Sequence, residues 1–201
     1  MKNGILIVLS AMLSLSAWAH PADKVATGHL KVVPGTIYGF NKYPSEMKNI
    51  RKAFPVMEAV VNSEEFKREV IGYVGLDGQR AYTSNNKLTN EEIYEFLMQG
   101  KELLKGDSTL GEMNFNVERY SRWWSKVIAY TSPGQHDWIE VNGKFYSTFD
   151  EVAIAANLTH EWIHLTGFYH DSARDHDSVP YAVGYIVERL AKKFVKQGFL
   201  D

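Results

Sequence analysis

The most regular pattern of apolar and polar positions lies near the end of the chain. Ile154, Leu158, Trp162 and Leu165 recur at helical spacing, while Ala153, Asn157, His160 and His164 fall on a second side of small or polar groups. One side of this helix is expected to pack and the other to face a cleft. Between Val152 and Leu165 the sole charge is Glu161. Thr148 and Glu151 have capping-box spacing and predict the start of the helix, and Gly167 predicts its stop. A last helix is predicted from about Val179 to Gln197: Val183, Ile186, Val187, Leu190 and Phe194 form its apolar stripe, Glu188 and Lys192 its wet side, and Gly198 ends it.

Upstream, helical patterns cover Ser45 to about Gly72, with a break near Pro55, and Thr89 to Leu104. Thr89 and Glu92 form a second capping box, with Ile93, Phe96, Leu97, Leu103 and Leu104 as the buried face. Glu64 and Arg68, four apart, read as a solvated helix face. Alternation of Met113, Phe115 and Val117 predicts a strand from Met113 to Tyr120, and Lys126 to Thr131 fits a short buried one, with Trp123 and Trp124 between them. Trp138–Val141 and Lys144–Tyr146 flank Asn142-Gly143, which predicts a hairpin. Ala22 to Tyr43 reads as an extended arm turning at Pro34-Gly35, either a strand or a short pro-segment.

Composition adds a location. Met1 to Ala19 carries one Lys, an apolar run from Ile5 to Leu15 and the small-x-small end Ala17-Trp18-Ala19, the form of a signal peptide. Secretion or residence in a periplasm is therefore expected, with residues 20–201 forming a single domain of about 180 residues. No later stretch approaches about 20 apolar residues, so no membrane span is expected. The net charge is −2, and losing the leader removes only Lys2 to give −3, too mild to suggest nucleic acid or an anionic membrane surface as partner. Without cysteine there are no disulfides, and stability must come from packing and metal. Cleavage after Ala19 would also expose the amine and imidazole of His20, a pair able to chelate copper if a further histidine joins.

The candidate chemistry is concentrated in residues 160–170, His-Glu-Trp-Ile-His-Leu-Thr-Gly-Phe-Tyr-His. Residues four apart on a helix share a face, so His160 and His164 can aim both imidazoles at one ion. Glu161, on the next radial position, can reach a water held there and act as general base. Gly167 lets the chain turn sharply and return His170 as a third nitrogen ligand, leaving a fourth position for water, the catalytic form of a zinc site. At average residue usage a five-residue HExxH match arises by chance in roughly one chain in a hundred of this length, and the added Gly and His make it far rarer. The alternative reading is a row of surface histidines on an amphipathic helix.

The run HExxHxxGxxH resembles the signature of the metzincin zinc metallopeptidases, with every fixed position present. The resemblance covers little beyond residues 150–171. It implies an α/β (α+β) catalytic domain with a twisted, mostly parallel sheet, an antiparallel edge strand that holds extended peptide, an active-site helix and a C-terminal helix. His160, His164 and His170 would bind one Zn2+, and Glu161 would be the base. By analogy one strand of the predicted 138–146 hairpin could be the cleft edge, the alternative being a plain structural hairpin. Asp171, directly after the third histidine, resembles the choice of the adamalysin-like enzymes, or starts a turn in a polar stretch. One feature departs from the family: all six methionines precede His160, so none can form its methionine turn. Ser178-Val179-Pro180-Tyr181 falls where that turn is expected, with Val179 or Pro180 as an apolar floor. Tyr181 resembles in placement a tyrosine that touches the metal or the oxyanion in some metzincins; the other reading packs its ring against the core. His176 is an alternative ligand or a solvated loop residue.

The function expected from these readings is a secreted zinc-dependent endopeptidase acting on peptide or protein substrates, taken as a monomer, with water activated by zinc and Glu161 as base. The alternatives are a zinc hydrolase of cell-wall peptide amides and a catalytically silent zinc-containing binding or inhibitor protein.

Overall fold

The computed structural model describes residues 29–170 and 175–198; the leader, His20 and Asp171 lie outside them. Four strands, β1 (Lys31–Tyr38), β2 (Glu112–Tyr120), β3 (Ala129–Thr131) and β4 (Trp138–Asn142), form one open sheet in the order β1-β2-β4-β3. β1, β2 and β4 run parallel, with Val32 opposite Met113 and Val117 opposite Ile139, and β3 closes the far edge antiparallel with Ala129 opposite Val141. The expected mostly parallel sheet with an antiparallel edge strand is therefore present. Among the described residues six α-helices accompany it: α1 (Pro44–Val61), α2 (Glu64–Ile71), α3 (Asn90–Gln99), α4 (Gly143–Tyr146), α5 (Glu151–Leu165) and α6 (Val179–Lys196). Among the described residues no helix is long and apolar enough to cross a membrane.

The alternation read in β2 is the core-facing period: Met113, Phe115 and Val117 are all fully buried. Ile154, Leu158, Trp162 and Leu165 bury the apolar side of α5, which packs against α1 and α6 and also meets β2, β3 and β4. The C-terminal helix and the strand at residues 113–120 match their predicted bounds within a residue. Within the predicted arm Lys31–Tyr38 form a strand, β1, whose register shifts between Pro34 and Ile37, while residues 22–28 lie outside the described residues. Its outer edge is covered by α1, because Glu58 Oε2 accepts from the Val32 N–H at 2.9 Å and Asn62 both accepts from and donates to the Leu30 backbone.

Four expectations are corrected. α1 runs through Pro55 unbroken, because Pro55 and Arg51 lie on the exposed side, where the carbonyl that proline cannot satisfy is open to water, while Ala53, Phe54, Val56 and Met57 hold the other side in the core. The break comes at Asn62, and Ser63 caps α2 by accepting from Phe66 N. α3 has its predicted capping box but ends at Gly100, whose φ of +70° closes the helix; a Cβ there would lie 2.4 Å from the Glu112 carbonyl oxygen, so the sheet admits only glycine. Leu103 and Leu104 are in consequence half exposed and belong to no buried helix face.

Asn142-Gly143 makes no hairpin. β4 is an inner strand, parallel to β2 and antiparallel to β3, and these two residues turn it into α4: Asn142 Oδ1 accepts from Lys144 N, and its amide donates to the Arg122 and Val127 carbonyls. Gly143 leaves space for Arg119, whose Nη2 would stand 2.0 Å from an added Cβ. That buried guanidinium binds both carboxylate oxygens of Glu46 on α1 and lies 3.5 Å from the Tyr43 ring centroid, fastening α1 to the sheet. Finally, α5 is capped by Asp150, which accepts from Ala153 N at 2.8 Å; Thr148 Oγ1 donates instead to the Phe145 carbonyl. Asp150 wins because it directly precedes the first helical residue, the position from which a side chain reaches the third N–H.

Candidate metal centre

With its apolar side in the core, α5 turns His160 and His164 to the cleft one turn apart, their ring centroids 4.9 Å apart and nearly perpendicular. The helix ends at Thr166, whose hydroxyl donates to the Ile163 carbonyl, and Gly167 takes φ +104°. Phe168 then anchors the reversal by burying its ring edge-on against Phe96 at 5.4 Å. Two residues later His170 arrives with Nε2 3.3 Å from Nε2 of His160. One ring nitrogen from each of the three histidines lies within 4.8 Å of the others, and among the described residues no other group of this kind exists.

The tautomers suit a cation. His164 Nδ1 faces the Phe168 carbonyl oxygen at 2.7 Å and must donate to it, which leaves Nε2 as the lone-pair nitrogen. His160 bonds to the backbone of Pro180, which has no N–H, so the imidazole donates there as well. A ligating histidine held through its other nitrogen by a backbone carbonyl is the usual outer support of a metal site. Burial, together with the neighbouring imidazoles, lowers the pKa of His160 to about 3; burial, aided by His170, lowers that of His164 to about 4. Both are therefore neutral and able to bind a metal at neutral pH. The triad can hold a metal ion.

Glu161 borders the same cleft, is 4% exposed, and burial alone pushes its carboxyl up to about 8. A cation at the triad supplies the opposite charge that would bring it down again. Tyr181, in the first turn of α6, does not pack into the core: its ring centroid lies 4.6 Å from that of His160 and 4.5 Å from that of His170. The segment 178–181 thus lies against the triad, Val179 fully buried, Pro180 accepting from His160 and Tyr181 beside two imidazoles. His176 stands outside the triad, stacked on Tyr185 with Nδ1 2.9 Å from its hydroxyl.

The cleft is a cavity of about 710 Å³ bounded by α5, the start of α6 and residues 126–131. The strand at its edge is β3, one side paired to β4 and the other bordering the cavity; neither 138–141 nor 144–146 holds that place. β4 is excluded because it lies between two strands, and 144–146 is helical.

Other contributors left no periodic signal. Tyr146 is fully buried, donates to Asn157 Oδ1 at 2.8 Å, and its hydroxyl is held well above the usual phenol range by burial and by the charge of Glu161. The loop before α6 is tied to residues 73–83: Asp177 accepts from the Tyr73 hydroxyl at 2.6 Å and from Leu76 N, its carbonyl accepts from Thr83 N, and Asp175 accepts from the Thr83 hydroxyl. Asn86 reaches the Gly167 carbonyl at 3.2 Å. One long loop therefore braces both the turn that returns His170 and the start of α6.

Comparison with protein-family models, with curated proteins and with solved structures gives no match to this chain.

Proposed function

We propose that this protein is a zinc-dependent hydrolase of the metzincin type that cleaves peptide bonds. The observation that carries the reading is the convergence of three imidazoles with a buried carboxylic acid beside them in an open cleft. Two nitrogens bound to one tetrahedral zinc at about 2.0–2.1 Å stand roughly 3.3–3.4 Å apart, the spacing of the His160 and His170 Nε2 atoms. Neutral nitrogen donors without thiolate, three of them among the described residues, favour catalytic over structural zinc. When bound, zinc would lower the pKa of a coordinated water and polarise the scissile carbonyl.

The residues divide the remaining work. Glu161 accepts the proton of the attacking water and returns it to the leaving amine, a role for which its place in the cleft beside the triad suits it once the cation has lowered its burial-raised pKa. The free side of β3 offers backbone groups to an extended substrate, which favours a polypeptide over a compact small molecule. Tyr181, against His160 and His170, is assigned hydrogen bonding to the developing oxyanion.

The test is metal analysis of the purified protein followed by digestion of casein, a peptide library and purified peptidoglycan. One zinc per chain, peptide cleavage abolished by chelation and by Glu161→Gln with zinc retained is the expected result. Undiminished turnover by Glu161→Gln removes the base assignment, and release of peptidoglycan fragments alone redirects the reading to cell-wall amides.

A further inference from the structure

We propose that residues 121–127, immediately before β3, form a docking element for the surface of an anionic lipid bilayer. Trp123 and Trp124 are 76% and 68% exposed and meet each other edge-on at 5.8 Å, and Val127 beside them is half exposed. Indoles leave a large apolar area in water at such exposure, and neighbouring exposed aromatics mark an interaction site.

The loop is built to present them. Asn142, fully buried, holds both of its ends, donating to the Arg122 and Val127 carbonyls and accepting from Arg122 N. Within it, Ser125 N donates to the Arg122 carbonyl and Val127 N to Ser125 Oγ, while Lys144 Nζ donates to the Ser125 carbonyl. These bonds hold the loop on either side of the two indoles, which stand exposed to solvent.

Charge identifies the occupant. Arg122 and Lys126 flank the indoles, Lys144 lies across the loop, and from Arg119 to His136 the chain has no acidic residue. Glu140, on the adjoining strand, is engaged by the Tyr130 hydroxyl and by His136 at 4.0 Å. Tryptophan in the headgroup region combined with basic residues against anionic lipid is a recognised interfacial anchor. The overall charge of −2 averages this local arrangement away. Because Lys126 and Val127 also line the cleft, docking sets the cleft mouth at the bilayer. Docking does not depend on the hydrolytic reading, since vesicle binding is measured without turnover.

The experiment is co-sedimentation of the mature full-length protein with vesicles of phosphatidylglycerol and phosphatidylcholine in equal parts, against phosphatidylcholine alone, with intrinsic tryptophan emission recorded. Three basic groups predict roughly a hundredfold preference for the anionic vesicles, weakening with salt, with a blue-shifted emission. Trp123→Ser/Trp124→Ser should weaken binding by about tenfold or more at an unchanged melting temperature, Trp123→Phe/Trp124→Phe should retain much of it, and Arg122→Glu/Lys144→Glu should abolish the preference for anionic lipid. Absence of sedimentation, equal binding to both vesicles, or full binding by the double serine variant overturns the proposal. So does adsorption to insoluble polysaccharide without vesicle binding, which would make the indoles a sugar platform.

Discussion

Replacing Glu161 with glutamine should stabilise the metal-free protein, and by an amount that grows with pH. The folded state holds this carboxyl at about 8 against an ordinary 4.5, so between those values the folded chain keeps a proton that the unfolded chain has released. A raised acid pKa contributes fully below pH 4.5 and its contribution is lost as pH rises towards 8. The loss is about 1.4 kcal/mol per pH unit, or roughly 3 kcal/mol at pH 7. Glutamine keeps the shape and never ionises. His160 and His164 act in the opposite sense, their lowered pKa values destabilising the fold as pH falls below 6.5, but they are common to both proteins and cancel in the difference. Urea denaturation of chelator-treated wild type and Glu161→Gln, followed by circular dichroism from about pH 5 to pH 8, measures the difference. Saturating zinc should shrink it, because the cation restores favourable surroundings for the carboxylate. A stability difference independent of pH in the metal-free proteins would refute the reasoning, because Glu161 would then be neither desolvated nor perturbed.

Three further outcomes follow from other contacts. His170→Ala should lower bound zinc measured by mass spectrometry from one per chain to near zero, since two imidazoles alone leave the ion underligated. Asp150→Ala should cost about 1 kcal/mol of unfolding free energy while Thr148→Ala costs much less; equal effects would contradict the capping geometry. Arg119→Ala should cost roughly 3–5 kcal/mol by chemical denaturation, because it leaves Glu46 buried beside an empty guanidinium site.

The sequence by itself determined the local features whose causes are local. The spacing of His160 and His164 needs only a helix, and the apolar stripes of α5 and α6 and the alternation in β2 each state which face is buried. The return of His170 was legible because Gly167 permits one sharp turn within a few residues. Reading failed wherever a distant partner decided. Gly100 ends α3 because the Glu112 backbone stands against it, and Asn142-Gly143 became a strand-to-helix corner because β4 is enclosed between β2 and β3 with Arg119 at the turn. Pro55 sits inside a helix because its defect faces water.

The surroundings of the triad were likewise decided by tertiary structure. The cleft edge fell to β3, the 73–86 loop became a brace, and Tyr146 and Tyr181 were brought beside groups far away in the chain. Motif spacing encodes which atoms can meet along one element, whereas these neighbours meet only after the sheet order is set, a non-local choice that no single segment carries.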